Sequence, residues 1–305
     1  MSHTFITIPI TSGITNTVSK IIDSSDPSKR FIYKEYDSLT PDHDEEIKKI
    51  LEITSDPKSI GLICVDILSY SQTSRMERFI EGYSLTAEYI LSNKNYLKYI
   101  AFKMSKFHQL QPKNAKGQSI FVNIKSFMFD IQNTVARKMI LDYLALVQKY
   151  ANITYNSLVF CHNDLLPGNI MQIRSPYLID HESNICFIDL EYSGYNYRGY
   201  DIANFLNELN IPFGKNKAMN TFIKYYLVGN SIKPKSENKK KLANEILLFR
   251  PLSYLYWGLW GLDQLKQEKR KNVQKFDYKG YSFDKLKLFS NMTGLPFSKL
   301  IPLFV

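Results

Sequence analysis

The chain has 305 residues, of which 44% are hydrophobic and 22% are charged. This balance is typical of a folded globular protein and excludes a disordered chain, a collagen-like fibre and a small disulfide-rich scaffold. The length leaves room for one large domain or two lobes. With 39 basic and 29 acidic residues, the net charge is +10, which raises the question of a nucleic-acid or membrane-surface partner.

The positive charge is concentrated in one part of the chain. Residues 233–275 contain eleven basic and four acidic residues, so this stretch carries most of the excess. Its densest runs are 239–241 and 269–271. Runs this short are usually solvated helix faces or loops. We expect that here, with a weak attraction to anionic membrane surfaces as a secondary hypothesis.

The cysteines and the lack of long apolar segments bear on the compartment. Cys64, Cys161 and Cys186 are widely spaced, unlike the close ligand pairs of zinc sites. Cys64 and Cys186 lie in apolar runs, so we expect buried free thiols in a reducing compartment, the cytoplasm. No apolar run reaches the ~18 residues of a transmembrane helix, and the start of the sequence, MSHTFITIPI, lacks the basic flank of a signal peptide.

The first eighty residues are rich in short β-branched and aromatic runs separated by turn residues, which predicts strands. The runs are FITIPI, TVSKII, RFIYKEY, GLICVDIL and SRMERFI. One helix interrupts them, with Thr40 as its predicted N-cap and Pro41 as its first residue. We therefore expect a small β-rich lobe over residues 1–82.

After residue 82 the pattern becomes mainly helical. Apolar residues from Leu97 to Phe107, and again between residues 131 and 150, repeat at helical spacing. A short β section follows, made of SLVFCHND, NIMQI and NICFIDL, before a second helical region rich in aromatic residues. The sequence thus predicts an α+β fold of two lobes, with a larger helical lobe over residues 83–305.

Polar residues follow two of the short strands, and they are the strongest chemical signal in the chain. They are His162-Asn163-Asp164, Asn169 and Asp189-Leu190-Glu191. Phosphoryl transfer from ATP needs an aspartate that accepts a hydroxyl proton, and an asparagine and a second aspartate that hold Mg²⁺. Because buried carboxylates without a cation are costly, we expect a metal ion at this cluster.

Together with their flanks, these motifs resemble the choline/ethanolamine kinase family. The matching strings are SGITN, VFCHNDLLPGNIM, IDLEYSGYNYRGYDIANFLNE, YLYWGLWGLDQ and FDYKGYSFDKLKLF. The match is specific, because generic phosphotransferases lack the string EYxxYNYRGxDI. The resemblance covers most of the chain and implies the two-lobed fold of protein kinases and aminoglycoside phosphotransferases.

The resemblance also implies a reaction, in which ATP and choline or ethanolamine give the phospho-amino-alcohol and ADP with Mg²⁺ required. By position, Asp164 would be the base that faces the substrate hydroxyl. Asn169 and Asp189 would coordinate Mg²⁺, and Glu191 resembles an additional metal ligand.

A second set of residues is implied to bind ATP from the small lobe. The set is Ser12, Gly13, Thr15, Asn16, Lys34 and Glu46. Backbone N–H groups of the loop would cover the phosphates, and Lys34 would contact them. Glu46 would be the ion-pair partner of Lys34, although Glu45 fits almost as well. Ile14 stands where the family has a second glycine, so this loop has less freedom to adopt positive φ.

A third set matches the amine pocket of the family. It consists of Glu208, Trp257, Trp260, Phe276 and Tyr281. A quaternary ammonium donates no hydrogen bonds, so aromatic faces and a nearby carboxylate hold it best. Trp257 and Trp260 are the only tryptophans, and their spacing places them on one face of a predicted helix. Phe213 falls where the family tends to have a tyrosine.

Two residues near the motifs are expected to support the site rather than perform chemistry. Asp201 would organise the catalytic loop by accepting hydrogen bonds, and His162 reads as a structural histidine of that loop.

The leading hypothesis is a cytosolic choline kinase that opens phosphatidylcholine synthesis, with an ethanolamine kinase or a dual choline/ethanolamine kinase as the alternative. A non-catalytic, kinase-shaped binding protein is disfavoured because every expected catalytic residue type is present. A nucleic-acid binder is disfavoured because the aromatic residues cluster with carboxylates and not with the lysines. Family members are commonly dimers, so a homodimer is a further expectation.

Overall fold

The strands of the small lobe form one antiparallel sheet in the order β1-β2-β3-β5-β4. The computed structural model describes residues 4–10, 16–36, 43–115, 119–154, 158–174, 184–212, 217–271 and 276–304. The strands are β1 (Phe5–Ile10), β2 (Asn16–Asp23), β3 (Asp26–Tyr36), β4 (Ile67–Tyr70) and β5 (Ser74–Arg78). Helix α1 (His43–Ser55) lies between β3 and β4. The predicted helix start at Thr40 and Pro41 lies outside the described residues.

The register of this sheet determines which side chains face the second lobe. Val18 of β2 pairs with Lys34 of β3, and Lys34 pairs with Arg75 of β5. Residues that are directly paired across antiparallel strands point to the same face of the sheet. These three side chains therefore share one face, and the site described below lies on it.

The segment predicted as one strand over residues 61–68 forms a strand only at its end, in β4. Instead, Phe187 donates a backbone hydrogen bond to Leu62 (2.8 Å), and Cys64 donates one to Phe187 (3.3 Å). This pairing brings Cys64 beside Cys186, with their Cα atoms 5.8 Å apart, and the two form a disulfide.

The expectation of free thiols is therefore wrong for Cys64 and Cys186. Their separation of 122 residues concealed a pairing that only the tertiary fold creates. Cys161 alone remains a buried free thiol. The expectation of a reducing compartment rested on free thiols at these two positions, and it consequently loses that support.

The second lobe is mainly helical. Its helices are α2 (Ala87–Ser92), α3 (Lys94–Phe107), α4 (Ile120–Phe127), α5 (Thr134–Thr154), α6 (Arg198–Glu208), α7 (Lys217–Gly229), α8 (Ser236–Lys271) and α9 (Tyr278–Thr293). Short 3₁₀ turns cover Pro57–Ser59, Met128–Asp130, Pro167–Asn169, Phe297–Lys299 and Ile301–Phe304. None of the helices in the described ranges is long and apolar enough to cross a membrane.

Two small sheets carry the polar motifs between these helices. Their strands are β6 (Gly82–Ser84), β7 (Val159–Cys161), β8 (Ile170–Ile173), β9 (Ile185–Phe187) and β10 (Gly194–Asn196). They pair in the orders β6-β8-β9 and β10-β7. The chain leaves the first sheet at Arg78, and at Gly82, the first residue of β6, it approaches β8 so closely that a Cβ atom would lie 2.2 Å from the Gln172 carbonyl oxygen. A side chain at residue 82 would therefore clash with β8 and disrupt the pairing of β6 with β8.

Helix α8 is the central element of the large lobe. It runs for 36 residues and packs against α6 on one side and α9 on another. Every side chain from Pro251 to Leu262 is buried. The lysines at 240 and 241, by contrast, lie exposed on its first turns, as expected for a solvated helix face. The helix therefore buries both tryptophans in the core while its first turns keep the basic run in solvent.

Candidate active site

The loop after β7 carries Asp164 and is held by a buried carboxylate. Asp201, at the start of α6, accepts hydrogen bonds from the backbone N–H groups of His162 (2.9 Å) and Asn163 (2.7 Å). Asn163 has φ 66°, a left-handed conformation that costs free energy and that asparagine tolerates better than most residues. The two bonds from Asp201 stabilise this turn, and the turn presents Asp164 to the cavity.

His162 and His108 complete the support of this loop. His162 Nε2 lies 2.9 Å from the Ile188 carbonyl, and this contact joins the loop after β7 to the segment just before Asp189. His108 Nε2 lies 2.9 Å from the Asp201 carboxylate. Both histidines are buried, and their contacts are those of structural residues and not of proton carriers at a cavity.

A second loop, after β9, carries the other two carboxylates. Asp189 has φ 63°, so it too adopts a left-handed backbone. Its carboxylate accepts a hydrogen bond from Lys34 Nζ at 2.9 Å. The side chain of Glu191 accepts one from Asn16 Nδ2 at 3.3 Å. Lys34 and Asn16 belong to the small lobe, so both contacts connect the two lobes across the site.

Asn169 lies between the two loops. Its Nδ2 donates to the Asp164 carbonyl (2.9 Å) and to the Asp164 carboxylate (3.3 Å). With the amide nitrogen engaged in this way, Oδ1 is the oxygen left to bind a cation. The structure thus brings together the four residues that the sequence predicted for catalysis and metal binding.

The ion pairs of the small lobe differ from the expectation. Glu46 pairs with Arg75 and not with Lys34, which pairs with Asp189 instead. Arg75 is buried and also bonds Glu77 at 2.6 Å, and it occupies the position beside Lys34 in the sheet. Arg75, a second basic residue on the same face of the sheet, therefore forms the ion pair with Glu46 of α1 that was expected for Lys34.

The three carboxylates and the amide of the two loops, together with Lys34 and Asn16 of the small lobe, border one cavity of about 260 Å³. Its lining residues are Asn16, Val18, Lys34, Asp164, Leu166, Asn169, Asp189, Glu191, Tyr192, Glu208, Trp257, Trp260 and Tyr281. The acidic and amide groups lie at the end that touches the small lobe. Aromatic rings and Glu208 form the end against α8 and α9.

The aromatic end is a set of rings that meet edge to face. Trp257 and Trp260 have ring centroids 5.4 Å apart at 78°, and Trp260 and Tyr281 6.1 Å apart at 78°. Trp257 Nε1 donates to Asn204 Oδ1 at 2.7 Å, which fixes its indole. Phe276 stands one layer behind, packed on Tyr281 at 5.7 Å. Such a wall of π faces suits an apolar cation.

The electrostatics of the acidic end favour a metal ion. Burial raises the pKa of Glu191 to about 7, and the charges of Asp189 and Glu46 add to the shift. Burial, with repulsion from Asp189 and Glu191, also raises the pKa of Asp164. Oδ1 of Asn16 is buried there with no hydrogen-bond partner among the described residues. Oxygen donors that repel one another in this way fit Mg²⁺, which prefers carboxylate and amide oxygens.

Four of the predicted positions lie outside the described residues. They are Ser12, Gly13 and Thr15 of the phosphate loop, and Phe213. Asn16, the last residue of that loop motif, is described and lines the cavity.

Sequence reasoning missed three residues of the site. Arg75 was hidden in a run read only as a strand. Tyr192 follows Glu191 directly, and its ring lies 5.5 Å from Trp257. Lys49 of α1 is buried and donates to the carbonyls of Glu191 (3.1 Å) and Ser193 (2.8 Å). A lysine on the apolar side of an amphipathic helix, one turn beyond Glu46, was the available signal for the last.

Comparisons with known proteins point to one family. The family model described as choline/ethanolamine kinase matches residues 7–290. The rat choline/ethanolamine kinase is 27% identical over 67% of this chain and 58% of its own length. The Arabidopsis thaliana probable choline kinase 3 is 28% identical over 70% of this chain and 65% of its own length. The chain thus spans less than two thirds of these curated relatives.

A solved structure of a related kinase has the same fold as this chain. The ethanolamine kinase of Plasmodium vivax superposes with a TM-score of 0.74 at 25% identity, over 93% of this chain and 82% of that one. The two-lobed, kinase-like fold expected from the sequence is therefore confirmed. With its family model matched over nearly the whole length, the chain belongs to the choline/ethanolamine kinase family.

Proposed function

We propose that the chain is an ATP-dependent choline kinase, which transfers the γ-phosphoryl group of ATP to the choline hydroxyl and releases phosphocholine and ADP. This would be the first step of phosphatidylcholine synthesis. The observation that carries the proposal is the cavity between the lobes, which has carboxylates and an amide at one end and four aromatic rings with Glu208 at the other. A short amino-alcohol has the same two ends.

Asp164 lines the cavity and interacts electrostatically with carboxylates of both of its ends, Asp189 and Glu191 at one and Glu208 at the other. In the proposed reaction its carboxylate accepts the proton of the substrate hydroxyl, while the hydroxyl oxygen forms the bond to the γ-phosphorus and the bond to ADP breaks. Burial, together with repulsion from Asp189, Glu191 and Glu208, raises the pKa of Asp164. A bound cationic alcohol offsets that repulsion and favours the ionised base.

Asn169 and Asp189, with Glu191, are the residues that would hold Mg²⁺. When bound, the metal would neutralise phosphate charge as the γ-phosphoryl group is transferred. Lys34 bonds Asp189 on the face of the sheet that the phosphates would occupy. Burial alone would lower the pKa of Lys34, but the charge of Asp189 raises it, so this lysine stays cationic.

The aromatic end supports choline over ethanolamine. A trimethylammonium group donates no hydrogen bonds and is held by π faces, whereas a primary ammonium seeks about three acceptors. Among the charged side chains that line the cavity, Glu208 is the carboxylate at the aromatic end. The alternative, an ethanolamine or dual kinase, is supported by the similarity to the Plasmodium vivax ethanolamine kinase.

Steady-state kinetics with both amines tests the proposal. We expect kcat/KM for choline to exceed that for ethanolamine, and D164A to lower kcat by at least about 100-fold because the proton acceptor is lost. A higher kcat/KM for ethanolamine would replace the choline assignment with its alternative. Unchanged turnover in D164A would overturn the catalytic role of that carboxylate.

A cytoplasmic location and a homodimer remain part of the proposal, the first because ATP is the phosphoryl donor. Weak contact of the 239–241 lysines with anionic membrane stays a secondary hypothesis. Nucleic acid is not a proposed partner, since four carboxylates line the cavity.

A further inference from the structure

Glu208, the carboxylate at the aromatic end of the cavity, already has a cationic partner. Its Oε1 accepts a hydrogen bond from Lys285 Nζ at 2.6 Å. The pair joins the last residue of α6 to the middle of α9, and the two side chains are 26% and 14% exposed. It is thus a long-range, half-buried contact, unlike the solvated pair of Lys138 and Asp142 on α5, whose side chains are 76% and 66% exposed.

The same ammonium lies over two tyrosine rings. Lys285 Nζ is 5.2 Å from the centroid of Tyr281 and 5.8 Å from that of Tyr254. Tyr281 and Lys285 are one helical turn apart on α9, so their side chains lie side by side. Because Glu208 and Tyr281 both line the cavity, Lys285 touches two of its wall residues at once.

We infer that Lys285 is a positioning residue for amine recognition: it holds Glu208 and Tyr281 in place from behind the cavity wall and leaves Oε2 of Glu208 for the substrate ammonium. The inference rests on the proposed function of the cavity. Glu208 ends its helix and has a flexible side chain, so without Lys285 its carboxylate has no fixed rotamer. The substrate would then have to order it on binding.

The direction of the effect on KM separates positioning from simple charge repulsion. If Lys285 acted only through its positive charge, K285M would strengthen the attraction for a cationic amine and lower its KM. A positioning role predicts the opposite, a rise of about tenfold in KM for the amine, the size expected for a lost charged hydrogen bond. The KM for ATP and kcat should change much less, and K285R should restore most of the KM.

Binding can be measured without turnover, because both tryptophans of the chain lie in this wall. We expect choline to change the tryptophan emission of the wild-type protein, and K285M to weaken that binding by a similar factor. K138M, which removes the lysine of the solvated pair, is the matched control and should behave as wild type.

The outcomes are distinct. An unchanged or lower choline Kd in K285M, with wild-type binding intact, would overturn the inference and leave the proposed function standing. Failure of wild-type protein to bind or phosphorylate either amine would overturn the proposed function, and the inference with it. Far-UV circular dichroism of K285M checks that the variant is folded, and K285R gives the same test with the cation retained.

Discussion

At the scale of single residues, the candidate site depends on side chains that do not line its cavity. Asp201 is fully buried, its two oxygens accept hydrogen bonds from the loop that carries Asp164, and its Oδ2 also lies 2.9 Å from His108 Nε2. The loop contains Asn163 in a left-handed conformation, which is strained without those bonds. The position of Asp164 is therefore decided one layer away from it.

Replacing Asp201 with Asn tests this dependence. An amide can accept only on one atom, so one backbone N–H of the loop loses its partner in a buried site. We expect D201N to lower kcat at least about tenfold and the free energy of unfolding by about 3 kcal/mol. Urea denaturation and choline turnover measure the two effects. The exposed D142N is the control, and equal stability of D201N and D142N would contradict the prediction.

The same variant has a predicted pH signature. Burial alone would raise the pKa of Asp201, but the hydrogen bond and charge of His108 hold it below its ordinary 3.8. The unfolded chain therefore takes up the proton first as pH falls, so the contribution of Asp201 is complete above about pH 4 and is lost below it. D201N should lose less stability than wild type between about pH 4 and pH 2, as measured by urea denaturation across that range.

At the scale of elements, the contact between α8 and α9 shapes the aromatic end of the cavity. Two glycines on α8 let the helices approach closely. A Cβ at Gly261 would lie 2.3 Å from Ser282 Oγ and 3.1 Å from the Tyr281 ring, and one at Gly258 would lie 2.7 Å from Leu286. Gly261 therefore lies next to Tyr281, which lines the cavity, whereas Gly258 lies next to Leu286 in the core.

G261A should therefore affect the amine more than G258A does. Both additions force α9 outward, and we expect each to cost about 1–3 kcal/mol of unfolding free energy. Only G261A displaces Tyr281 directly, so it should raise KM for the amine several-fold more than G258A. Thermal melting and steady-state kinetics of the two variants make the comparison. Equal KM changes would show that the glycine beside Tyr281 has no special role.

At the scale of the whole molecule, one of the densest basic runs lies away from the candidate site. The exposed lysines of residues 240–241 lie on the first turns of α8, whereas the cavity is lined by four carboxylates and Lys34. The net charge of +10 therefore says little about the substrate. The local field of the cavity is negative and would attract the cationic alcohol of the proposed function.

The disulfide is also a property of the whole molecule. It joins the segment after α1 to β9, just before the loop that carries Asp189, and closes a loop whose ends are 122 residues apart. Such a link reduces the entropy of the unfolded chain. We expect reductant to lower the free energy of unfolding by about 2–4 kcal/mol, as measured by urea denaturation.

The C64S/C186S double variant is the control for this prediction. Its stability should match that of the reduced protein and should not respond to reductant. Thiol labelling of the native protein should find neither cysteine reactive. Equal stability of the wild-type protein with and without reductant would argue against the link.

Most of the features that could be predicted from the sequence were predicted from short motifs. The strands before Asp164 and Asp189 were visible as short apolar runs, because a strand is a local pattern of apolar residues. The spacing of the acidic and amide residues after these strands predicted a phosphoryl-transfer site. The tryptophan pair at helical spacing was equally visible. The strand limits around residues 61–64 were not, since that segment pairs with β9 and not within its own sheet.

The amino-acid sequence by itself determined the fold class and the family, and it supplied the candidate residues of the site, since all of these depend on local patterns along the chain. The tertiary structure alone decided which side chains pair: Glu46 with Arg75, Lys34 with Asp189, Lys285 with Glu208, and Cys64 with Cys186. Each partner in these pairs had more than one candidate of suitable charge or chemistry. Only packing in three dimensions sets the distances that select among them.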